Sequence, residues 1–142
     1  MADIFLSHAS EDREFVERLA QALKQQGFSV WWDRAIQVGT RFDHEIDKAL
    51  REAACVLVVW SRASTESEWV RDEASEGLSR DILVPLQIED CQLPLGFKRI
   101  QTARIAGDGS LPSHIYDAIR RLTGKPPPQT SNPGPSDRPV SI

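Results

Sequence analysis

Cys55-Val56-Leu57-Val58-Val59-Trp60 is an unbroken run of six apolar residues, closed by Ser61 and Arg62. A strand with one wet face alternates polar and apolar residues. A run without alternation belongs to a strand covered on both faces, as in the middle of a parallel sheet. Even extended back through Ala53 and Ala54, it falls far short of the roughly 20 residues that a bilayer-spanning helix needs.

Upstream, Asp3-Ile4-Phe5-Leu6-Ser7 has the same buried-strand character. Phe15, Val16, Leu19, Ala20 and Leu23 follow at helical spacing, with Ser10 as the expected N-cap, Glu11 and Asp12 in the first turn, and Gly27 as the stop. Phe28-Ser29-Val30-Trp31-Trp32 predicts a second strand ending at Asp33, and a polar loop through Gly39 leads to a helix carrying Phe42, Ile46, Ala49, Leu50 and Ala53. Beyond the central run, residues 61–65 turn into a third helix over about 66–78, with Val70, Ala74 and Leu78 expected to pack on the sheet. Ile82-Leu83-Val84-Pro85-Leu86 predicts a fourth strand, with Pro85 tolerable near an edge. Residues 88–102 show no period. Ala103-Arg104-Ile105 predicts a short fifth strand, and Ile115, Ile119 and Leu122 a last helix with Pro112 in its first turn.

Strands alternating with helices imply an α/β fold with right-handed crossovers. The expected architecture is a flavodoxin-like, doubly wound, five-stranded parallel sheet in the order 2-1-3-4-5, with helices on both faces. The chain has 142 residues, 40% of them hydrophobic, which suits one domain with a real core. Six of its nine prolines lie beyond residue 123, among Ser, Thr, Gln, Asn and Gly. Such a stretch buries too little apolar surface to offset its ordering entropy. The expected division is therefore a folded domain at 1–123 and a Pro-rich disordered linker or tail at 124–142.

A net charge of −4 without a basic block argues against nucleic acid or anionic membrane as a partner. Met1-Ala2-Asp3-Ile4 lacks a basic n-region, and the two cysteines, Cys55 and Cys91, make neither a disulfide framework nor a zinc pattern. A soluble, reduced, cytoplasmic setting is expected.

In the 2-1-3-4-5 order, ligands favour the crevice at the carboxyl ends of the first and third strands, where the winding reverses. Ser7, His8, Ala9 and Ser10 are delivered there after the first strand and Ser61 after the third, with the loop 33–41 alongside. The strand ends Leu6-Ser7-His8 and Trp60-Ser61 lack the acidic residues of a phosphate-accepting receiver. The turn Ser7-His8-Ala9-Ser10-Glu11 lacks the glycine of a flavin-phosphate loop, and no GxGxxG after a strand or GxxxxGK[ST] is present.

Trp69-Val70-Arg71-Asp72-Glu73 puts an indole and a carboxylate four apart, on one helix face. An aromatic wall beside a negative charge suits a flat cationic ring attached to a sugar. By spacing alone, the commoner reading of such a pair is Trp69 as a core anchor and Glu73 as a solvated surface charge.

Taken in order, these segments resemble the TIR (Toll/interleukin-1 receptor and resistance-protein) domain family. The resemblance is carried by Asp3-Ile4-Phe5-Leu6-Ser7-His8, Glu11-Asp12, Gly27-Phe28-Ser29-Val30-Trp31-Trp32-Asp33, Gly39, the helix end at Ala49, Leu50 and Ala53, Val56-Leu57-Val58-Val59-Trp60-Ser61, Ser67-Glu68-Trp69-Val70 to Glu73, and Ile82-Leu83-Val84-Pro85-Leu86. Trp32-Asp33 and Ser67-Glu68-Trp69-Val70 look closest to bacterial members. The resemblance implies one of two functions: cleavage of NAD⁺ in bacterial immunity or cell-death signalling, or a non-catalytic scaffold, which includes interference with a host's TIR signalling. In the enzymatic kind a Glu in the third helix is catalytic, often four residues after a Trp, and Glu73 and Trp69 match it. NAD⁺ is then substrate, with no metal and no resident cofactor. Trp69 would line the nicotinamide-ribose pocket, and Ser7, His8, Ser61 and Phe42 stand as candidate substrate contacts, Phe42 with core packing as its alternative. The loop 33–41 corresponds to the family's BB loop, with Asp33, Arg34, Ile36, Val38 and Gly39 as candidate assembly residues. Self-association and a C-terminal sensor or oligomerisation domain beyond the tail complete the expectation.

Overall fold

Pleat parity on the central strand organises the molecule. In β3 (Cys55–Trp60) every residue is buried. Cys55, Leu57 and Val59 join one core cluster with Phe15, Val16, Leu19, Ala20 and Leu23 of α1 (Arg13–Gln25) and Ile115 and Ile119 of α5 (Ser113–Thr123). On the opposite face Val56 packs with Leu50 of α2 (Phe42–Glu52) and with Ala53, while Val58 and Trp60 pack with Val70 and Ala74 of α4 (Glu68–Ser79) and with Phe97. Adjacent strand residues thus feed opposite layers, which is why the run shows no alternation. The computed structural model describes residues 2–32, 42–105 and 110–126, residues 42–44 by their backbone alone.

The sheet is parallel and five-stranded, in the order β2-β1-β3-β4-β5, as the alternation of strands and helices predicts. β1 (Ile4–Ser7) lies between β2 (Val30–Trp31) and β3, with Ser7 level with Val58. β4 (Leu83–Gln87) is not an edge strand, since β5 (Ala103–Arg104) pairs outside it. Pro85 is tolerated for a different reason. The β4 backbone groups that bond β3 belong to the alternate residues, with Ile82 accepting from Val56 and Ile88 donating to Trp60. Pro85 therefore turns its missing N–H toward β5, which begins only opposite Leu86.

Helix boundaries follow local chemistry. Gly27 adopts φ 95°, the left-handed conformation that costs glycine least. Around it the N–H of Gly27 bonds the Lys24 carbonyl and that of Phe28 the Leu23 carbonyl, a Schellman ending that delays β2 to Val30. The start of α1 departs from expectation. Ser10 is not its N-cap; residues Ser10–Asp12 form a 3₁₀ turn, and Asp12 holds the cap position without a side-chain cap bond because Ser61 engages its carboxylate. Pro112 is the N-cap of α5 rather than part of its first turn. The third predicted helix is α4, capped by Ser67, and the turn expected before it is a short helix of its own, α3 (Arg62–Thr65), capped by Ser61. Leu78 does not pack on the sheet but is 38% exposed. The buried stripe of α4 is Val70, Glu73, Ala74 and Gly77.

Residue 125 is held at the end of the sheet opposite the strand carboxyl ends. Lys125 Nζ lies 2.8 Å from Asp3 Oδ2 and donates to the Gly27 carbonyl at 3.2 Å. Asp3 also accepts from the Ser29 N–H at 2.9 Å. Burial pulls the Asp3 carboxyl up, but Lys125 and the Ser29 bonds together outweigh it, and the net displacement is downward. Both cysteines are free, and burial pushes the Cys55 thiol up to about 12. Among the described residues no helix is long and apolar enough to cross a membrane.

Candidate active site

Phe5 and Ser7 share a face of β1, and Phe5 packs with Leu50 and Val56 on the side of α2 and α4. The same parity turns the Ser7 side chain toward α4. There Ser7 Oγ donates to Glu73 Oε1 at 2.6 Å, a contact spanning 66 positions of the chain. Ser7 is wholly buried, and Glu73 is only 5% exposed. A buried carboxylate carries a desolvation cost of several kcal/mol unless hydrogen-bonded. The short O–H···O⁻ bond offsets part of that cost. Glu73 reaches this depth because α4 lies close to the sheet one turn later. A Cβ at Gly77 would sit 2.7 Å from the Val56 Cβ, so only glycine permits the approach.

A cavity of about 710 Å³ opens between the carboxyl ends of β1 and β3, where the topology reverses. Among the described residues it is lined by His8, Ala9, Ser10, Glu11 and Arg13 on one side, and by Ala63, Glu66, Ser67 and Trp69 on the other. Trp69, at 36% exposed, is the large aromatic on its rim. His8 is buried, and its Nδ1 lies 3.2 Å from the Leu6 carbonyl oxygen. A carbonyl only accepts, so Nδ1 carries the proton. The Arg13 guanidinium stands 5.2 Å from the Trp32 ring centroid. Glu73 is not itself on the wall: the lining stops at Trp69, one turn before it, and at His8, the residue after its partner Ser7.

Ser61, at the carboxyl end of β3, is bonded within the chain. Its Oγ accepts from the Ser64 N–H at 3.1 Å, capping α3, and donates to Asp12 Oδ2 at 2.5 Å. That bond ties the end of β3 to the turn after β1, and neither residue is among the described residues that line the cavity. Burial raises the Asp12 carboxyl above its ordinary value; the Ser61 bond opposes this, and the charges of Glu89 and Glu11 add to it.

The structure thus brings Ser7 and Glu73 together, sets His8 and Trp69 on the cavity, and bonds Ser61 to Asp12 and Ser64 outside its lining. Asp33, Arg34, Ile36, Val38 and Gly39, and the side chain of Phe42, lie outside the described residues. Sequence reasoning missed Arg13 as a cavity cation and Asp12 as the partner of Ser61. Arg13 was legible as the first basic residue after the β1 turn; the Asp12 bond left no local signal.

The family model for the TIR domain matches residues 4–123. The chain belongs to the TIR domain family. AbTIR of Acinetobacter baumannii, named a 2′ cyclic ADP-D-ribose synthase, gives a match 38% identical over 82 residues, 56% of this chain and 30% of that protein. PdTIR of Paracoccus denitrificans, named an NAD(+) hydrolase, is 40% identical over 73 residues, 50% of this chain and 24% of that protein. The matched stretch is under a third of either relative's length. Among solved structures, the TIR domain of the Toll-related receptor TRR-2 from Hydra magnipapillata superposes with a TM-score of 0.67 at 23% identity, covering 73% of this chain and 84% of that one. That likeness speaks for the TIR fold alone.

Proposed function

We propose that this TIR domain cleaves the bond between nicotinamide and ribose in NAD⁺. The observation that carries the reading is Glu73: a carboxylate buried against the sheet at the topological switch, one turn behind the rim indole Trp69. The relatives named NAD(+) hydrolase and 2′ cyclic ADP-D-ribose synthase support it.

The chemistry follows from charge. Nicotinamide in NAD⁺ is a pyridinium, so the C1′–N bond breaks with its electron pair going to nitrogen, and a neutral amide leaves without a general acid. The ribose left behind is oxocarbenium-like, and an anion held nearby stabilises it. Glu73 is that anion, and it also engages the ribose hydroxyls. Trp69 flanks the ring, and His8 stands where the remainder of the nucleotide passes. Water adding at C1′ gives ADP-ribose and a proton; a hydroxyl of the same nucleotide gives a cyclic isomer. Neither route calls for a metal or resident cofactor, because the leaving group is already activated.

Within this reading, self-association completes the site, with loop 33–41 as its contact segment and the Pro-rich stretch 124–142 as a tether to a C-terminal sensor or oligomerisation domain. The setting is bacterial immunity or cell-death signalling in the cytoplasm. Glu73 sits behind Trp69 and His8, so substrate reaches it only when that wall opens, which assembly would do.

The same placement favours a second reading, a self-associating scaffold whose Glu73 never meets a ligand. Nicotinamide release from NAD⁺ by concentrated or artificially clustered protein separates the two. The enzyme reading expects release by the wild type and a loss of about 100-fold or more in Glu73→Gln. No release under clustering leaves the scaffold, and equal release by both proteins removes Glu73 from its role.

A further inference from the structure

We infer that Ser7 is a positioning residue for Glu73: its hydroxyl fixes one carboxylate oxygen and thereby the direction in which the acid meets the ribose. The inference rests on the NAD⁺-cleaving reading above. Ser7 is wholly buried and absent from the cavity lining, so it acts through Glu73 and not on substrate.

Three observations carry it. The first is the bond itself, 2.6 Å from Ser7 Oγ to Glu73 Oε1. The second is where Ser7 stands. Ser7 is wholly buried and its backbone is in register with Val58 of the central strand, so its hydroxyl has little freedom. A glutamate side chain has three rotatable bonds, and a fixed donor removes the freedom that would otherwise blur its aim. The third is the chemical type of the partner. An arginine or lysine would hold the carboxylate as firmly but cancel the negative charge that a developing sugar cation needs. A hydroxyl orients the anion and adds no charge of its own.

The test measures nicotinamide release, kcat and KM apart, for clustered wild type, Ser7→Ala, Ser7→Cys, Glu73→Gln and the double variant Ser7→Ala/Glu73→Gln, with a thermal melt of each. Ser7→Ala removes one buried atom and is expected to fold. It should lower kcat about 10- to 100-fold while KM moves by less than about threefold. Ser7→Cys, a weaker donor of similar shape, should fall between. In the Glu73→Gln background the Ser7→Ala change should add nothing, because the group it aims is gone.

A kcat for Ser7→Ala within about twofold of wild type overturns the inference. So does a loss carried by KM, which would make Ser7 a substrate contact. So does a further loss in the double variant, or a loss that follows the unfolded fraction in the melt. The underlying reading fails differently, through an inert wild type or an active Glu73→Gln.

Discussion

Gly77 stands one helical turn beyond Glu73, against Val56 of the central strand, where a Cβ would be only 2.7 Å from the valine Cβ. Val56 is wholly buried in a strand paired on both sides, so the helix must yield. Gly77→Ala gains about 1 kcal/mol of helix propensity and loses about 1–3 kcal/mol to overpacking. The expected net is a destabilisation of about 1 kcal/mol in chemical denaturation. Because the displaced segment carries Glu73, nicotinamide release should fall by more than that stability change explains.

Asp12 answers to pH. Its folded carboxyl is raised above the unfolded value, chiefly by burial. A raised carboxyl contributes stability that is present below the unfolded value and is lost as pH rises through the folded one. Asp12→Asn removes the charge and keeps an oxygen to accept from Ser61. The variant should melt higher than wild type at neutral pH, and the gap should close as pH falls below the ordinary carboxylate range. Melting curves at a series of pH values check it; a gap that widens in acid contradicts the assignment.

Trp69 is a rim residue, and its truncation should spare the fold. Trp69→Ala is expected to cost about 1–2 kcal/mol, since the indole is 36% exposed and the rest of it is covered. It should raise the KM for NAD⁺ about tenfold through loss of the flanking ring, with Trp69→Phe keeping most of the affinity. Steady-state kinetics beside a thermal melt report both.

The architecture was legible where burial is uniform. Six unbroken apolar residues at 55–60 announced a strand covered on both faces, and the alternation around it set the order of the sheet. Misreadings arose where size matters more than polarity. Leu78 looked like a core residue because it is apolar, yet the helix comes too near the sheet at that level for anything larger than Gly77. Ser7 ends its strand at the switch point, and the parity it shares with Phe5 turns it inward onto Glu73. The split between α3 and α4 was written in the caps, since Ser61 and Ser67 each precede a turn whose N–H they accept. The Asp12–Ser61 bond joins residues 49 apart, and no local pattern encodes such a meeting.

The Lys125–Asp3 clasp has a practical bearing on fusions. It sits before the first residue of β1, while the cavity opens past the last, and a four-residue strand rises about 13 Å. Cargo attached after residue 126 therefore departs from the floor of the sheet, leaving the rim at Trp69 unobstructed. A label or a clustering module grafted there can gather many copies without plugging their mouths.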